Sequence, residues 1–339
     1  MALRDGFVEC AAMDKTRLRR WADIFPIVKQ TSEYLGQRPR RFQLVEGGLS
    51  TPIPDGCKRV HFVRHGEGDH NVWRAQEHAK GQAPMAKRWN FSEVPAELLD
   101  PHLTEKGRKE AESARGVADQ CQPELLVTSP LRRTVETCLL IFKASVDKGV
   151  PVLAHELCRE QGVGADPSMY DAHLGRRALA KEFPQVDFMS HVLPELAEDD
   201  KSQLKDDPYW WTVGSPVGCC EEKGLSEASM AHHAYSFLCW LMSRPERDIA
   251  VATHSQWLFS LYYGVFDNPG RNLDGDPIFY HTGELRSVLI REQPAPSPRG
   301  STEQLQRLGA LLTQQEGLKK ENEVEEQRIA KKQKLCEQA

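Results

Sequence analysis

The chain has no C-x-x-C spacing. Its nine cysteines, an odd number, include one adjacent pair, Cys219-Cys220. That pattern excludes a disulfide framework and a zinc ribbon, and it leads us to expect reduced thiols in a cytoplasmic setting. Long apolar runs are also missing: the longest, near Trp257–Phe266, is too short to cross a bilayer. The opening Met1-Ala2-Leu3-Arg4-Asp5 brings charge early and no continuous apolar stretch, so no secretory leader is expected. The sequon Asn90-Phe91-Ser92 should accordingly go unused. There is no excess of positive charge, since 44 Lys and Arg face 49 Asp and Glu for a net −5. Neither a nucleic acid nor a membrane is therefore expected as a partner. Internal repeats and sustained heptads are absent as well, which removes a coiled coil.

What remains is ordinary for a globular chain of 339 residues, with 40% hydrophobic and 27% charged residues. Residues 1–57 read as an extension in which Leu18, Trp21, Ile24 and Phe25 fall on one helical face beside basic clusters. From residue 293 the character changes again: Pro294, Pro296 and Pro298 make a linker into a Gln-, Glu- and Lys-rich tail that reads as flexible. Between them, residues 58–292 alternate apolar strand runs with helical stretches. That order predicts a three-layer α/β/α sandwich on a mostly parallel central sheet.

Val60-His61-Phe62-Val63-Arg64-His65-Gly66-Glu67 organises this domain. An apolar alternation stops at a glycine turn, so Arg64 and His65 stand at a strand end, where open α/β sheets put their ligands. A guanidinium supplies permanent planar charge for phosphate oxygens, and a neutral imidazole supplies a lone pair for attack. Glu124–Thr128 predicts a second strand. After it, Ser129 can cap a helix with Pro130 at its first position, bringing Arg132 and Arg133 to a helix start that favours anions. Val150–Ala154 predicts a third strand, followed by Glu156, Arg159 and Glu160. Asp248–Thr253 is the best buried strand and delivers His254. A last strand is expected near Ser287–Ile290. Arg64 with His65, Arg133, Glu160 and His254 thus all fall at strand ends. The insertion at 72–100 is read as partly helical and as shaping the substrate mouth. A metal site from His61, His65, His70 and His78 follows no helix face and no zinc spacing.

These pieces together resemble the histidine phosphatase superfamily, the phosphoglycerate mutase-like fold. The resemblance rests on Arg64-His65-Gly66-Glu67 with Asn71, Leu103-Thr104 with Gly107, and Ser129-Pro130-Leu131-Arg132-Arg133-Thr134 with Glu136-Thr137. Leu157-Cys158-Arg159-Glu160 and Thr253-His254 complete it, in the family's order. The resemblance implies that His65 is the nucleophile that becomes phosphohistidine, that Arg64 and Arg133 grip the phosphoryl oxygens, and that Asn71 donates a further hydrogen bond. It implies that His254 stabilises the developing charge and that Glu160 protonates the leaving alcohol. No metal and no organic cofactor is implied.

Arg132 competes with Arg133, with the spacing from Ser129 favouring Arg133. Glu156 competes with Glu160, with the Leu-x-Arg-Glu context favouring Glu160. Ser255 after His254 separates the chain from the acid-phosphatase branch, and the stretches Trp73–Trp89 and Arg159–Gly162 lack the elements of glycolytic mutases. A phosphatase acting on a small phosphorylated molecule is therefore the leading expectation, with phosphoproteins open as substrates. A mutase or sugar bisphosphatase, and a non-catalytic scaffold that binds a phosphorylated ligand, are the alternatives. Nothing in the residues speaks to oligomeric state.

Overall fold

The computed structural model describes residues 40–80, 96–160, 169–171, 173–192, 225–267 and 278–293. All belong to the compact unit Met1–Gln293. The expected helix around residues 18–25, residues 81–95 of the insertion and the tail from 294 lie outside them. Six strands form one sheet: β1 Arg41–Val45, β2 Cys57–Arg64, β3 Leu125–Thr128, β4 Val152–Ala154, β5 Asp248–Thr253 and β6 Leu285–Gln293. Their order is β1-β6-β2-β5-β3-β4. β2, β5, β3 and β4 pair in parallel, while β6 is antiparallel to both β1 and β2. Seven described helices flank them: α1 Asp69–Ala79, α2 Glu105–Ala118, α3 Arg132–Ile141, α4 Lys143–Asp147, α5 Arg176–Glu182, α6 Leu225–Ser243 and α7 Ser255–Ser260.

The sheet carries a core on each face, which makes the three layers. All six residues of β5 are buried, and successive side chains of a strand point to opposite faces. Ile249 and Val251 join Val60, Phe62 and Val127 against Phe237, Leu241 and Trp257 of α6 and α7. Ala250 and Ala252 join Val63 and Leu126 against Ala111, Val135 and Cys138 of α2 and α3. Small residues on that second face let α2 and α3 come close to the sheet. Large ones on the first fill the space beneath α6, each worth roughly 1.5–3 kcal/mol when fully buried.

Two expectations are corrected. The first is the 1–57 boundary: β1 lies inside that stretch, with Phe42 fully buried, and it pairs with β6 from Arg41↔Gln293 to Val45↔Leu289. The second is the cap of α3. The helix begins at Arg132, with Leu131 as a cap residue that makes no side-chain bond. Ser129 Oγ instead faces His254 Nε2 at 2.9 Å and accepts weakly from the Leu131 N–H at 3.4 Å.

Candidate active site

Register decides what meets at the C-terminal edge of the sheet. Arg64 of β2 is level with Thr253 of β5, and Thr128 of β3 is level with Ala252 and Ala154. The residues that follow each strand therefore emerge side by side. The ladder continues past the strands through His65 N–H to the Thr253 carbonyl at 3.0 Å and Ser129 N–H to the Ala252 carbonyl at 3.0 Å. Gly283, at φ +72°, donates its N–H to the Arg64 and His65 carbonyls at 3.1 and 3.2 Å. A side chain there would be strained. On the other side, a Cβ at Gly66 would overlap the Gly107 carbonyl, and one at Gly107 would overlap the Glu67 backbone. Only glycines let the turn after His65 and the start of α2 pass this closely.

His65 is 3% exposed. Its Nδ1 lies 2.6 Å from the Gly66 carbonyl. A carbonyl can only accept, so the proton sits on Nδ1 and the lone pair on Nε2. Burial, together with the Arg133 and Arg64 guanidiniums, holds the ring's pKa well below its ordinary value. Gly66 N–H donates to Thr137 Oγ1 at 3.0 Å, which ties this turn to α3. The His254 ring is centred 5.1 Å away at 60°. Arg133 Nη2 approaches His254 Nδ1 at 3.4 Å. A guanidinium has no lone pair to offer, so His254 carries its proton on Nε2, toward Ser129. Its pKa too is depressed, by burial first and then by Arg133.

The two arginines of α3 part ways. Arg133 is 1% exposed and reaches this cluster. Its Nη2 donates to Asp171 Oδ1 at 2.7 Å and its Nη1 donates to the Tyr170 carbonyl. Arg132 turns away: its N–H and Nε bond Asp100 Oδ1 and the Asp100 carbonyl at 2.9 and 2.6 Å, and Nη1 meets His102 Nε2 at 2.7 Å. Arg64 donates Nη1 to the Tyr280 carbonyl at 2.8 Å and lies over the Phe279 ring.

The two candidate acids also part ways. Glu156 is held by Arg159 Nε at 2.8 Å and His173 Nε2 at 3.2 Å, so it is committed to an ionic cluster. Glu160 receives only a long bond from the Gln256 N–H, 3.4 Å at Oε2, and Oε1 has no partner among the described residues. Burial first, then the neighbouring Asp171, pushes its pKa up to about 8. A carboxylic acid that keeps its proton at neutral pH can donate it. The loop carrying it is pinned by Thr253 Oγ1 to the Cys158 carbonyl and Trp257 Nε1 to the Leu157 carbonyl, both at 2.7 Å. Asn71 accepts the Gly68 N–H at Oδ1, 3.0 Å, closing the first turn of α1.

Three residues at this edge were not expected from the sequence. His70 is buried beside His65, Tyr170 stacks on it at 5.2 Å, and Asp171 anchors Arg133. The last two come from the short turn Met169–Asp171. His61, in the middle of β2, is held away from this edge by bonds to Asp248 and Ser287. No helix among the described residues is long and apolar enough to cross a membrane.

Residues 60–183 match the family model of the histidine phosphatase superfamily, branch 1. A phosphoglycerate mutase-like protein of Arabidopsis thaliana is 26% identical over 272 residues, which are 69% of this chain and 84% of that one. A Schizosaccharomyces pombe protein named "probable phosphatase" is 28% identical over 155 residues, 44% of this chain and 61% of that protein. The crystal structure of a phosphoglycerate mutase from Bacillus anthracis superposes with a TM-score of 0.40 at 13% identity, covering 70% of this chain and 89% of that one. The match to the histidine phosphatase superfamily thus spans the His65 turn and the Arg133 helix, and the similarity to a phosphoglycerate mutase-like relative extends over most of both chains.

Proposed function

We propose that the protein is a metal-independent phosphomonoesterase that works through a phosphohistidine on His65. One observation carries the reading: His65 is a buried imidazole with its proton fixed on Nδ1 by the Gly66 carbonyl, flanked by two guanidiniums, with a protonated carboxyl at the same edge. In the first step the Nε2 lone pair attacks phosphorus, the bond to the ester oxygen breaks, and Glu160 gives its proton to the leaving alkoxide. The Gly66 carbonyl, still holding the Nδ1 proton, offsets the positive charge on the phosphorylated ring. In the second step water attacks phosphorus, the P–N bond breaks, and the Glu160 carboxylate takes the proton back. Arg64 and Arg133 offset charge on the peripheral oxygens throughout, His254 backs Arg133, and Asn71 holds the turn.

The test is phosphate release from an aryl phosphate and a panel of metabolite phosphates with chelator present, alongside acid-labile labelling of the protein. Wild type is expected to release phosphate and trap label, and His65→Ala to do neither. Label returned to an acceptor alcohol instead of water would assign a mutase. Equal activity in both proteins would refute His65 as the nucleophile.

A further inference from the structure

The reaction above leaves one buried histidine of the cluster unused. His70 lies in the first turn of α1, is 3% exposed, and has its ring centred 5.5 Å from that of His65. It stacks on Tyr170 at an interplanar angle of 26°. Its Nδ1 is buried with no hydrogen-bond partner among the described residues. Gly68 makes room for that edge of the ring, since a Cβ there would stand 2.9 Å from both Nδ1 and Cε1. An unpartnered buried nitrogen costs free energy, and folded proteins keep such groups few. Beside His65, a ligand atom could supply that partner.

Arg133 gives one hydrogen of Nη1 to the Tyr170 carbonyl and one of Nη2 to Asp171, which fixes its plane and leaves further N–H groups for a ligand, while His254 is tied to Ser129 and Arg133. A phosphoryl group in transfer presents three peripheral oxygens. Positive charge is already supplied by two guanidiniums, so what a further group can add is an uncharged, directed donor. A third cation would hold product phosphate tightly and weaken the His65 lone pair. An imidazole kept uncharged by burial and by Arg133 adds an N–H without that penalty.

We propose that His70 is a substrate-contacting residue whose ring N–H hydrogen-bonds a peripheral oxygen of the phosphoryl group during transfer. This rests on the phosphatase reading of the same pocket. The bland counterpart is a ring kept only to stack on Tyr170, and two substitutions separate them: His70→Phe keeps the stack and loses the donor, while His70→Asn keeps a donor near Nδ1 and loses the ring. We would measure kcat and KM on an aryl phosphate, and the inhibition constant of orthovanadate, a mimic of five-coordinate phosphorus, for wild type, both variants and His65→Ala. His70→Phe should melt like wild type, bind vanadate roughly ten- to a hundredfold more weakly and lose kcat more than KM, and His70→Asn should recover most of the loss. Wild-type-like vanadate binding and kcat in His70→Phe, with a poor His70→Asn, would overturn the proposal and leave the phosphatase reading standing. A wild type that neither turns over nor binds vanadate would overturn both. Should His70→Phe fail to fold, His70→Leu against His70→Asn repeats the comparison with the same branching of heavy atoms.

Discussion

Replacing Glu160 by Gln removes a proton without changing shape, and its effect should depend on what is leaving. With a pKa of about 8, roughly nine-tenths of this carboxyl is protonated at pH 7, where an ordinary glutamic acid would be protonated in well under one molecule in a hundred. An alkoxide needs that proton and p-nitrophenolate does not. On an alkyl phosphate Glu160→Gln should lose ~10²–10⁴-fold in kcat, whereas on p-nitrophenyl phosphate the loss of the acid step should be about fewfold. The wild-type rate on the alkyl ester should fall as pH rises through about 8, because the acid form is the active one. Stability should move in the same direction. A carboxyl whose pKa is raised by folding contributes fully below its unfolded value and is penalised as pH climbs to the folded one. Relative to wild type, Glu160→Gln should therefore gain stability at pH 8 but not at pH 4, by on the order of a few kcal/mol, and melt higher only at pH 8. Steady-state kinetics on the two esters and a pair of melting curves suffice. Equal losses on both esters would refute the acid assignment, and the same selective loss in Glu156→Gln would move it to that residue.

Arg133→Ala should lose about 10²–10³-fold in turnover, the scale of removing one donor to transition-state charge. Arg132→Ala should stay within about tenfold of wild type in rate yet lose roughly 1–3 kcal/mol in urea unfolding, because it severs the bonds to Asp100 and His102. Gly107→Ala should cost about 1–3 kcal/mol or more and lower activity with it, since its Cβ would collide with the Glu67 backbone just after His65. Unchanged urea midpoints in both Arg132→Ala and Gly107→Ala would show that these contacts are slack.

Motif residues at strand ends were readable because two periodicities coincide there: the apolar alternation predicts where the strand stops, and the polar residue after it has nowhere else to go. That is why Arg64, His65 and His254 appear where they were expected, and why the Asp248–Thr253 strand matched its range. What was misread depends on distant partners. Ser129 has a good local reason to cap α3, but His254, 125 residues later, competes for its hydroxyl. The spacing from Ser129 favoured Arg133 over Arg132, but the partners that separate them, Asp171 and Asp100, carry no local sign of their pairing. β1 was passed over because its short run follows an arginine-rich stretch and its partner lies 250 residues downstream, at Gln293. His70 and Tyr170 meet across a hundred residues through shape alone, a kind of contact that spacing cannot encode.

The place of β6 in the sheet sets a schedule for synthesis. The last described strand of the unit inserts between its first two, β1 and β2, and the turn before it supplies the carbonyl that holds Arg64 and the N–H that holds His65. A growing chain that has released residues 57–254 from the ribosome owns every proposed catalytic group, yet it lacks the strand that seats two of them. Catalytic competence should therefore arrive abruptly once residue 293 has cleared the exit tunnel. A message cut short before β6 would yield an inert product with the inner edges of β1 and β2 left unzipped, a natural handle for chaperones and proteases.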